Sequence, residues 1–248
     1  MRDVLLGLLV GLFSGLFGVG GGIILVPLMV LLMRADQKQA QATSLVVVAL
    51  GASSGAITYA VGDSVSWASV PFLIAGGLLG SWIGTVVVKK AQVRWLQLLF
   101  AALLVVTALR IGLDSLLRSN DVIADLSPVV ALGLAASGFV MGLLSSLLGV
   151  GGGIIVIPLL VAIFGFPQQL AAGTSLVTMI PLALFAAFRL TRSGFTQWMR
   201  GLRIGGGSIP GAVGGALLAL ALDPGLVQIG FGVLLIVAAA SMARKALS

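Results

Sequence analysis

Two nearly identical glycine clusters are the first candidates for chemistry in this chain. They read GVGGGIILVPL at 18–28 and GVGGGIIVIPL at 149–159. An apolar run follows each cluster, so a helix is expected to begin there. A helix N-terminus offers free N–H groups and about half a positive charge to an anion, and glycine lets an oxyanion approach the backbone. The clusters therefore predict anion binding at Gly18, Gly20, Gly21, Gly22, Gly149, Gly151, Gly152 and Gly153.

Glycine also serves close helix packing, which is the alternative role for these clusters. Packing requires small residues four positions apart rather than adjacent ones, so it accounts poorly for GVGGG. Glycines with that spacing occur elsewhere, and we expect those to lie at helix–helix contacts. They are Gly7, Gly11, Gly15, Gly76, Gly80, Gly84, Gly207, Gly211 and Gly215.

A Thr-Ser pair follows each glycine cluster and supplies hydroxyl groups. The pairs are Thr43 with Ser44 and Thr174 with Ser175. Such hydroxyls can bond the backbone of their own or a neighbouring helix, or they can donate hydrogen bonds to a bound anion. The sequence leaves both roles open.

Side chains for catalysis or metal binding are scarce. The chain has no cysteine, no histidine and no glutamate, and its seven acidic residues are aspartates near the ends of apolar segments. Thiol and imidazole chemistry and most transition-metal sites are therefore excluded, and no carboxylate pair is placed for acid–base work. The sequence predicts neither an enzyme nor a cofactor.

The glycine clusters and the Thr-Ser pairs lie within or beside long apolar segments. The chain of 248 residues is 59% hydrophobic and 8% charged, whereas a soluble domain carries about 25% charged residues. Apolar runs of about 20 residues span a bilayer as helices, so the chain is predicted to be an all-α polytopic membrane protein in contact with the lipid bilayer. The net charge of +7 lies in short loops, which is typical of cytoplasmic loops and does not indicate nucleic-acid binding. The N-terminus lacks a signal-peptide cleavage pattern and is expected to be retained.

The sequence repeats itself after 131 residues. Between 11–27 and 142–158, 12 of 17 positions are identical, and the register continues to Trp67 and Trp198. Shared apolar composition would not keep glycines and polar residues in step over such a distance. We therefore predict a duplication, with repeat 1 at 1–113, a linker at 114–128 and repeat 2 at 129–248.

Basic residues are distributed in opposite ways in the two repeats. Lys89, Lys90 and Arg94 follow the third apolar segment of repeat 1, whereas the equivalent loop of repeat 2 carries only Asp223. Because Lys and Arg mark cytoplasmic loops, the pattern predicts inverted repeats. Both termini are then expected on the cytoplasmic side of a bacterial-type inner membrane.

Inversion requires each repeat to cross the membrane an odd number of times, yet each shows four apolar segments. The arms beside each glycine cluster are shorter than a hydrocarbon core of about 30 Å. Each repeat is therefore predicted to be a re-entrant broken-helix hairpin plus three transmembrane helices; the alternative is one long kinked helix. The predicted ranges are hairpin 4–33 and helices 40–61, 67–89 and 92–112, then hairpin 135–164 and helices 170–190, 201–221 and 225–243.

Three further pairs of residues have structural interpretations. Trp67 and Trp198 are expected to anchor segments at the membrane interface. Gln97 and Gln228 are expected to bond between helices, and Arg110 and Arg189 to orient segment ends.

These motifs resemble those of a known family. The repeated glycine cluster, followed by Pro27 or Pro158 and then by ATSL or GTSL, is similar to the sulfite exporter TauE/SafE family of membrane permeases, over roughly 4–243. The resemblance implies a transporter of small sulfur-containing anions, such as sulfite or an organosulfonate. The positions that match the family pattern are the glycines of the two clusters, the two prolines and the Thr-Ser pairs.

The predicted function is export of such an anion by alternating access. An anion channel and a structural membrane protein without transport are the alternatives. Uptake would need a coupling ion, such as sodium. The sequence leaves the oligomeric state open, a homo-oligomer included.

Overall fold

The computed structural model describes residues 2–87 and 127–247, and the regular elements among them are α-helices. They are α1 (Arg2–Phe17), α2 (Gly22–Met33), α3 (Gln37–Val61), α4 (Val70–Val87), α5 (Pro128–Leu148), α6 (Gly153–Phe164), α7 (Gln168–Thr191), α8 (Trp198–Ala221) and α9 (Pro224–Leu247). The all-α prediction is confirmed. Five of these helices, α3, α4, α5, α7 and α8, are long and apolar enough to cross a membrane. The predicted helix 92–112, with Gln97 and Arg110, and nearly all of the linker 114–128 lie outside the described residues.

The register of 131 residues reappears in the positions of the helices. α2 and α6 begin and end at equivalent residues, and α1, α3 and α4 correspond to α5, α7 and α8. The first arm of the second hairpin differs from the prediction, because α5 begins at Pro128 rather than at 135. Ser127 accepts a hydrogen bond from the Val130 N–H, and Pro128 occupies the first turn. This cap extends α5 to 21 residues, about 32 Å of helix.

Each glycine cluster is a turn at which the chain reverses. Met33, at the end of α2, lines the same cavity as Arg2, at the start of α1. In the second repeat the Phe164 ring, at the end of α6, lies 3.2 Å from the place of a Cβ on Gly133, near the start of α5. The two helices of each pair therefore run antiparallel, as in a hairpin, rather than as one kinked helix.

The regularly spaced glycines lie where helices of different repeats pack. A Cβ on Gly7, Gly11 or Gly15 of α1 would collide with a backbone carbonyl of α8, and Gly76 and Gly80 of α4 meet backbone carbonyls of α5 in the same way. The backbones approach this closely because glycine carries no side chain. Helices α1 and α4 thus each find their main partner in the other repeat.

The equivalent helices α3 and α7 run in opposite directions. Gly173 of α7 lies against Tyr59, near the end of α3, while Leu176, one turn later in α7, contacts Gly55, one turn earlier in α3. Two equivalent helices that pack antiparallel favour an inverted arrangement of the repeats.

Candidate functional site

The two glycine turns adopt a backbone that side chains disfavour. Three glycines of each turn have positive φ: Gly18, Gly20 and Gly21 at 71°, 80° and 69°, and Gly149, Gly151 and Gly152 at 68°, 89° and 82°. Most residues rarely enter this left-handed region, whereas glycine does so at little cost. The clustering of glycines is therefore explained by the turn itself.

A helix begins at the end of each turn without a side-chain cap. Gly21 is the N-cap of α2 and Gly152 is the N-cap of α6, and neither has a side chain that could bond the first amides. Part of the first turn of each helix is already satisfied, because the Gly22 N–H donates to the Gly20 carbonyl oxygen and the Ile24 and Ile155 N–H groups donate to the carbonyl oxygens of the N-caps. The first turn of a helix leaves donors unsatisfied, and the amides that remain without a backbone acceptor are those of Ile23, Gly153 and Ile154. Pro27 and Pro158 lie inside these helices, six residues after the N-caps.

The two turns contact each other directly and reciprocally. A Cβ on Gly22 would collide with the carbonyl oxygen of Gly149, and a Cβ on Gly153 would lie 2.5 Å from the carbonyl oxygen of Gly18. Val19 and Val150, within the turns, are 1% and 4% exposed. The predicted glycines of both repeats thus form one buried site at the centre of the molecule.

The serine of each Thr-Ser pair holds the turn of the other repeat. The Ser44 hydroxyl lies within hydrogen-bond distance of the Gly149 carbonyl oxygen, and the Ser175 hydroxyl donates to the Gly18 carbonyl oxygen at 3.2 Å. The structure therefore brings both serines to the site. Because these hydroxyls already donate to carbonyl oxygens of the turns, the two serines hold the turns in position.

The threonine of each pair serves a different loop. Thr43 Oγ1 accepts from the Gln197 N–H at 3.1 Å, just before α8. Thr174 Oγ1 accepts from the Ser66 N–H at 2.9 Å, just before α4. The two threonine hydroxyls are thus engaged in holding loops, whereas the predicted glycines and serines meet at the turns.

Two apolar side chains fill the space between the turns. The Met179 Cε leaves no room for a Cβ on Gly20 and lies 2.5 Å from the place of a Cβ on Gly151. Val48, which is the residue of repeat 1 equivalent to Met179, contacts the same two glycines. Met179 is fully buried. This methionine therefore occupies the space between the turns.

The site carries no formal charge of its own. Among the residues that the structure describes, the buried polar side chains are all serine, threonine or glutamine. No group of His, Cys, Asp or Glu within residues 2–87 and 127–247 is placed to hold a metal ion. Attraction for an anion must therefore come from backbone amides, helix termini and hydroxyl groups.

A basic cavity opens at one end of the molecule. It has a volume of about 490 Å³, and Asp3, Gln197, Arg200 and Arg203 line it. The equivalents of the two arginines in repeat 1 are Ser69 and Phe72, so the equivalent positions of repeat 1 do not carry these two charges. Such an arrangement would concentrate anions at that mouth.

Two serines at the turns were not predicted as site residues. Ser14 and Ser145 are 2% and 1% exposed, and their Oγ atoms have no hydrogen-bond partner. The available signal was their equivalence in the 131-residue register. Gln168, at the start of α7, is also buried without a side-chain partner. Its equivalent in repeat 1, Gln37, is only half-buried.

Comparison with known proteins gives a family match and several relatives. The model of a family described as "Sulfite exporter TauE/SafE" matches residues 1–111 and 134–248. The probable membrane transporter protein YunE of Bacillus subtilis is 27% identical over 242 residues, which cover 89% of this chain and 87% of the relative. A probable membrane transporter protein of Xylella fastidiosa (strain Temecula1) is 29% identical over 224 residues, with coverage of 87% and 83%.

A third relative shows a similar level of identity. A probable membrane transporter protein of Methanocaldococcus jannaschii is 30% identical over 189 residues, which cover 72% of this chain and 67% of the relative. No solved structure is significantly similar to the chain. The family is one of membrane permeases and not of enzymes. This chain belongs to the sulfite exporter TauE/SafE family of membrane transporters.

Proposed function

We propose that the chain exports a small sulfur-containing anion, sulfite or an organosulfonate, by alternating access across a bacterial-type inner membrane. The observation that carries the proposal is the meeting of the two glycine turns, each with an uncapped helix N-terminus. Irregular backbone at membrane depth is tolerated only when it is buried or lines a wet cavity. Helix N-termini directed at the midplane are a recurring way for transporters to hold an anionic substrate.

The contacts between the turns favour a site that opens from one side at a time. Each turn belongs to a different repeat, and each is held by a serine of the other, Ser44 on Gly149 and Ser175 on Gly18. If the repeats are inverted, these two contacts face opposite sides of the membrane. Release of one contact while the other holds would expose the site to one side only.

The charge of the substrate supports the proposed direction of transport. A monoanion that leaves an inside-negative cell gains about 2.3 kcal/mol per 100 mV, which is about a fifty-fold concentration ratio. In the described part of the chain no acidic side chain is buried, so the site offers no carboxylate for a proton relay. Export needs no such relay, because the membrane potential drives it.

Flux in proteoliposomes tests the proposal. Purified full-length chain is reconstituted with sulfite or methanesulfonate inside, and a potassium diffusion potential is imposed with valinomycin. We expect efflux that rises several-fold when the interior is made negative, with saturable kinetics, compared with protein-free vesicles. Absence of flux for every sulfur oxyanion would refute the proposal, and unsaturable flux at channel rates would refute alternating access.

The proposed inversion has a separate test. Because the chain has no cysteine, a single introduced cysteine reports the side of the membrane on which it lies. Asp63 and Gly194 are equivalent in the 131-residue register, and both are exposed with positive φ, 51° and 75°. We expect Asp63→Cys to react with a membrane-impermeant maleimide from outside the cell and Gly194→Cys only after the membrane is opened. Labelling of both from the same side would contradict inverted repeats and cytoplasmic termini.

A further inference from the structure

Two buried serine hydroxyls at the turns lack any partner, which sets them apart from the other buried serines. Ser14 and Ser145 are nearly inaccessible, and their Oγ atoms bond to nothing. The remaining buried serines of the described chain all have a hydrogen bond to a carbonyl or hydroxyl group: Ser44, Ser69, Ser81, Ser137, Ser146, Ser175 and Ser208. A buried hydroxyl without a partner is costly and rare in folded proteins, so these two need an explanation.

Both serines lie beside the uncapped start of a helix. The Ser14 Cβ is 3.5 Å from the place of a Cβ on Gly21, and the Ser145 Cβ is 3.2 Å from the place of a Cβ on Gly152. Gly21 and Gly152 are the N-caps of α2 and α6. Each of the two serines therefore lies beside a helix terminus whose first amides lack a side-chain cap.

The two positions are equivalent in the repeats, although their surroundings differ. Beside Ser14 lie Gly51 and Ser208, whose equivalents in the other repeat are Leu182 and Gly77. The free hydroxyl is thus retained at both turns while its neighbours change. Packing requirements alone do not account for that pattern, because the two environments have different shapes.

We propose that Ser14 and Ser145 donate hydrogen bonds to the transported anion, one at each turn, and that the site selects singly charged oxyanions. The inference rests on the proposed function. The donors that each turn offers are neutral, a hydroxyl and backbone amides, and no buried cation accompanies them in the described residues. Neutral donors and helix termini compensate about one negative charge, whereas burial of a dianion without a partner cation is far more costly.

A binding series on the full-length chain in detergent tests this. The probes are methanesulfonate, which carries one charge, and sulfate, which carries two. We expect Ser14→Ala and Ser145→Ala each to weaken methanesulfonate binding about tenfold, which is about 1.4 kcal/mol. The unfolding temperature without anion should stay unchanged or rise, since each variant removes an unsatisfied hydroxyl. Wild-type protein should bind sulfate at least tenfold more weakly than methanesulfonate.

Two serines serve as matched controls. Ser208 is buried close to Ser14 but already donates to the Gly205 carbonyl oxygen, and Ser137 lies in the same helix as Ser145 and donates to the Gly133 carbonyl oxygen. Ser208→Ala and Ser137→Ala should keep wild-type affinity.

The outcomes separate this inference from the proposed function. If the wild-type chain transports sulfonate but both alanine variants bind it normally, the serine assignment is wrong and the proposed function stands. Equal affinity for sulfate and methanesulfonate overturns the charge selection. If the wild-type chain neither binds nor transports any sulfur oxyanion, the proposed function itself fails.

Discussion

Gly153→Ala tests whether the two turns must touch. Gly153 begins α6, and its φ is not among the positive values, so alanine can adopt the same backbone. The added Cβ would lie 2.5 Å from the Gly18 carbonyl oxygen, 2.8 Å from the Ser175 Oγ and 3.0 Å from the Met179 Sδ. Because ordinary contact begins near 3.4 Å, the turns must separate by nearly 1 Å.

The expected magnitude follows from two opposing effects. Overpacking a close contact costs about 1–3 kcal/mol, and the higher helix propensity of alanine returns up to about 1 kcal/mol. We expect a net loss of about 1–2 kcal/mol in the free energy of unfolding. If the turns must come together in the rate-limiting step of transport, a rise of about 1.4 kcal/mol in the free energy of that transition state lowers flux about tenfold.

The assay combines thermal unfolding in detergent with sulfite flux in proteoliposomes. Gly206→Ala is the matched control, since Gly206 lies in α8 and a Cβ there meets nothing within 4 Å. The control should keep wild-type flux and equal or greater stability. Wild-type stability and flux in Gly153→Ala would refute the reasoning, because the turns would then tolerate separation.

Three further predictions concern packing, gating and loop support. Gly80→Ala places a Cβ against the Phe139 carbonyl oxygen, and we expect it to force α4 from α5 and lower the free energy of unfolding by about 2 kcal/mol or more, as measured by thermal denaturation. Met179→Ala removes the side chain between the turns; we expect a stability loss of about 2–5 kcal/mol and faster flux of larger sulfonates relative to sulfite, measured in the same vesicles. Thr174→Val deprives the Ser66 N–H of its acceptor, which should cost about 1–3 kcal/mol in unfolding experiments without changing the Kd for methanesulfonate.

Much of the architecture could be predicted because it depends on local rules. Adjacent glycines before an apolar run specify a turn and a helix start, and glycines four residues apart specify close packing; both appear in the structure at the predicted residues. The duplication predicted matching helices, and α2 and α6 have equivalent bounds. The start of α5 differs from the predicted residue 135 because the cap at Ser127 and the proline at 128 begin the helix seven residues earlier.

The roles of individual hydroxyl groups could not be predicted in the same way. Thr43 and Ser44 are neighbours in sequence, but successive residues of a helix point about 100° apart, so they meet different surroundings. Only the packing of the other repeat decides that Ser44 meets Gly149 while Thr43 meets Gln197. The free hydroxyls of Ser14 and Ser145 are likewise visible only when their neighbours are in place.

The first and fourth helices of each repeat pack mainly against helices of the other repeat. Because α1 packs on α8 and α4 packs on α5, a half-length protein would lose the main partners that its first and fourth helices have among residues 2–87 and 127–247. If the repeats are inverted, a second copy of opposite orientation would supply the missing partners of such a half. Co-expression of the two halves as separate polypeptides should then restore a complete molecule.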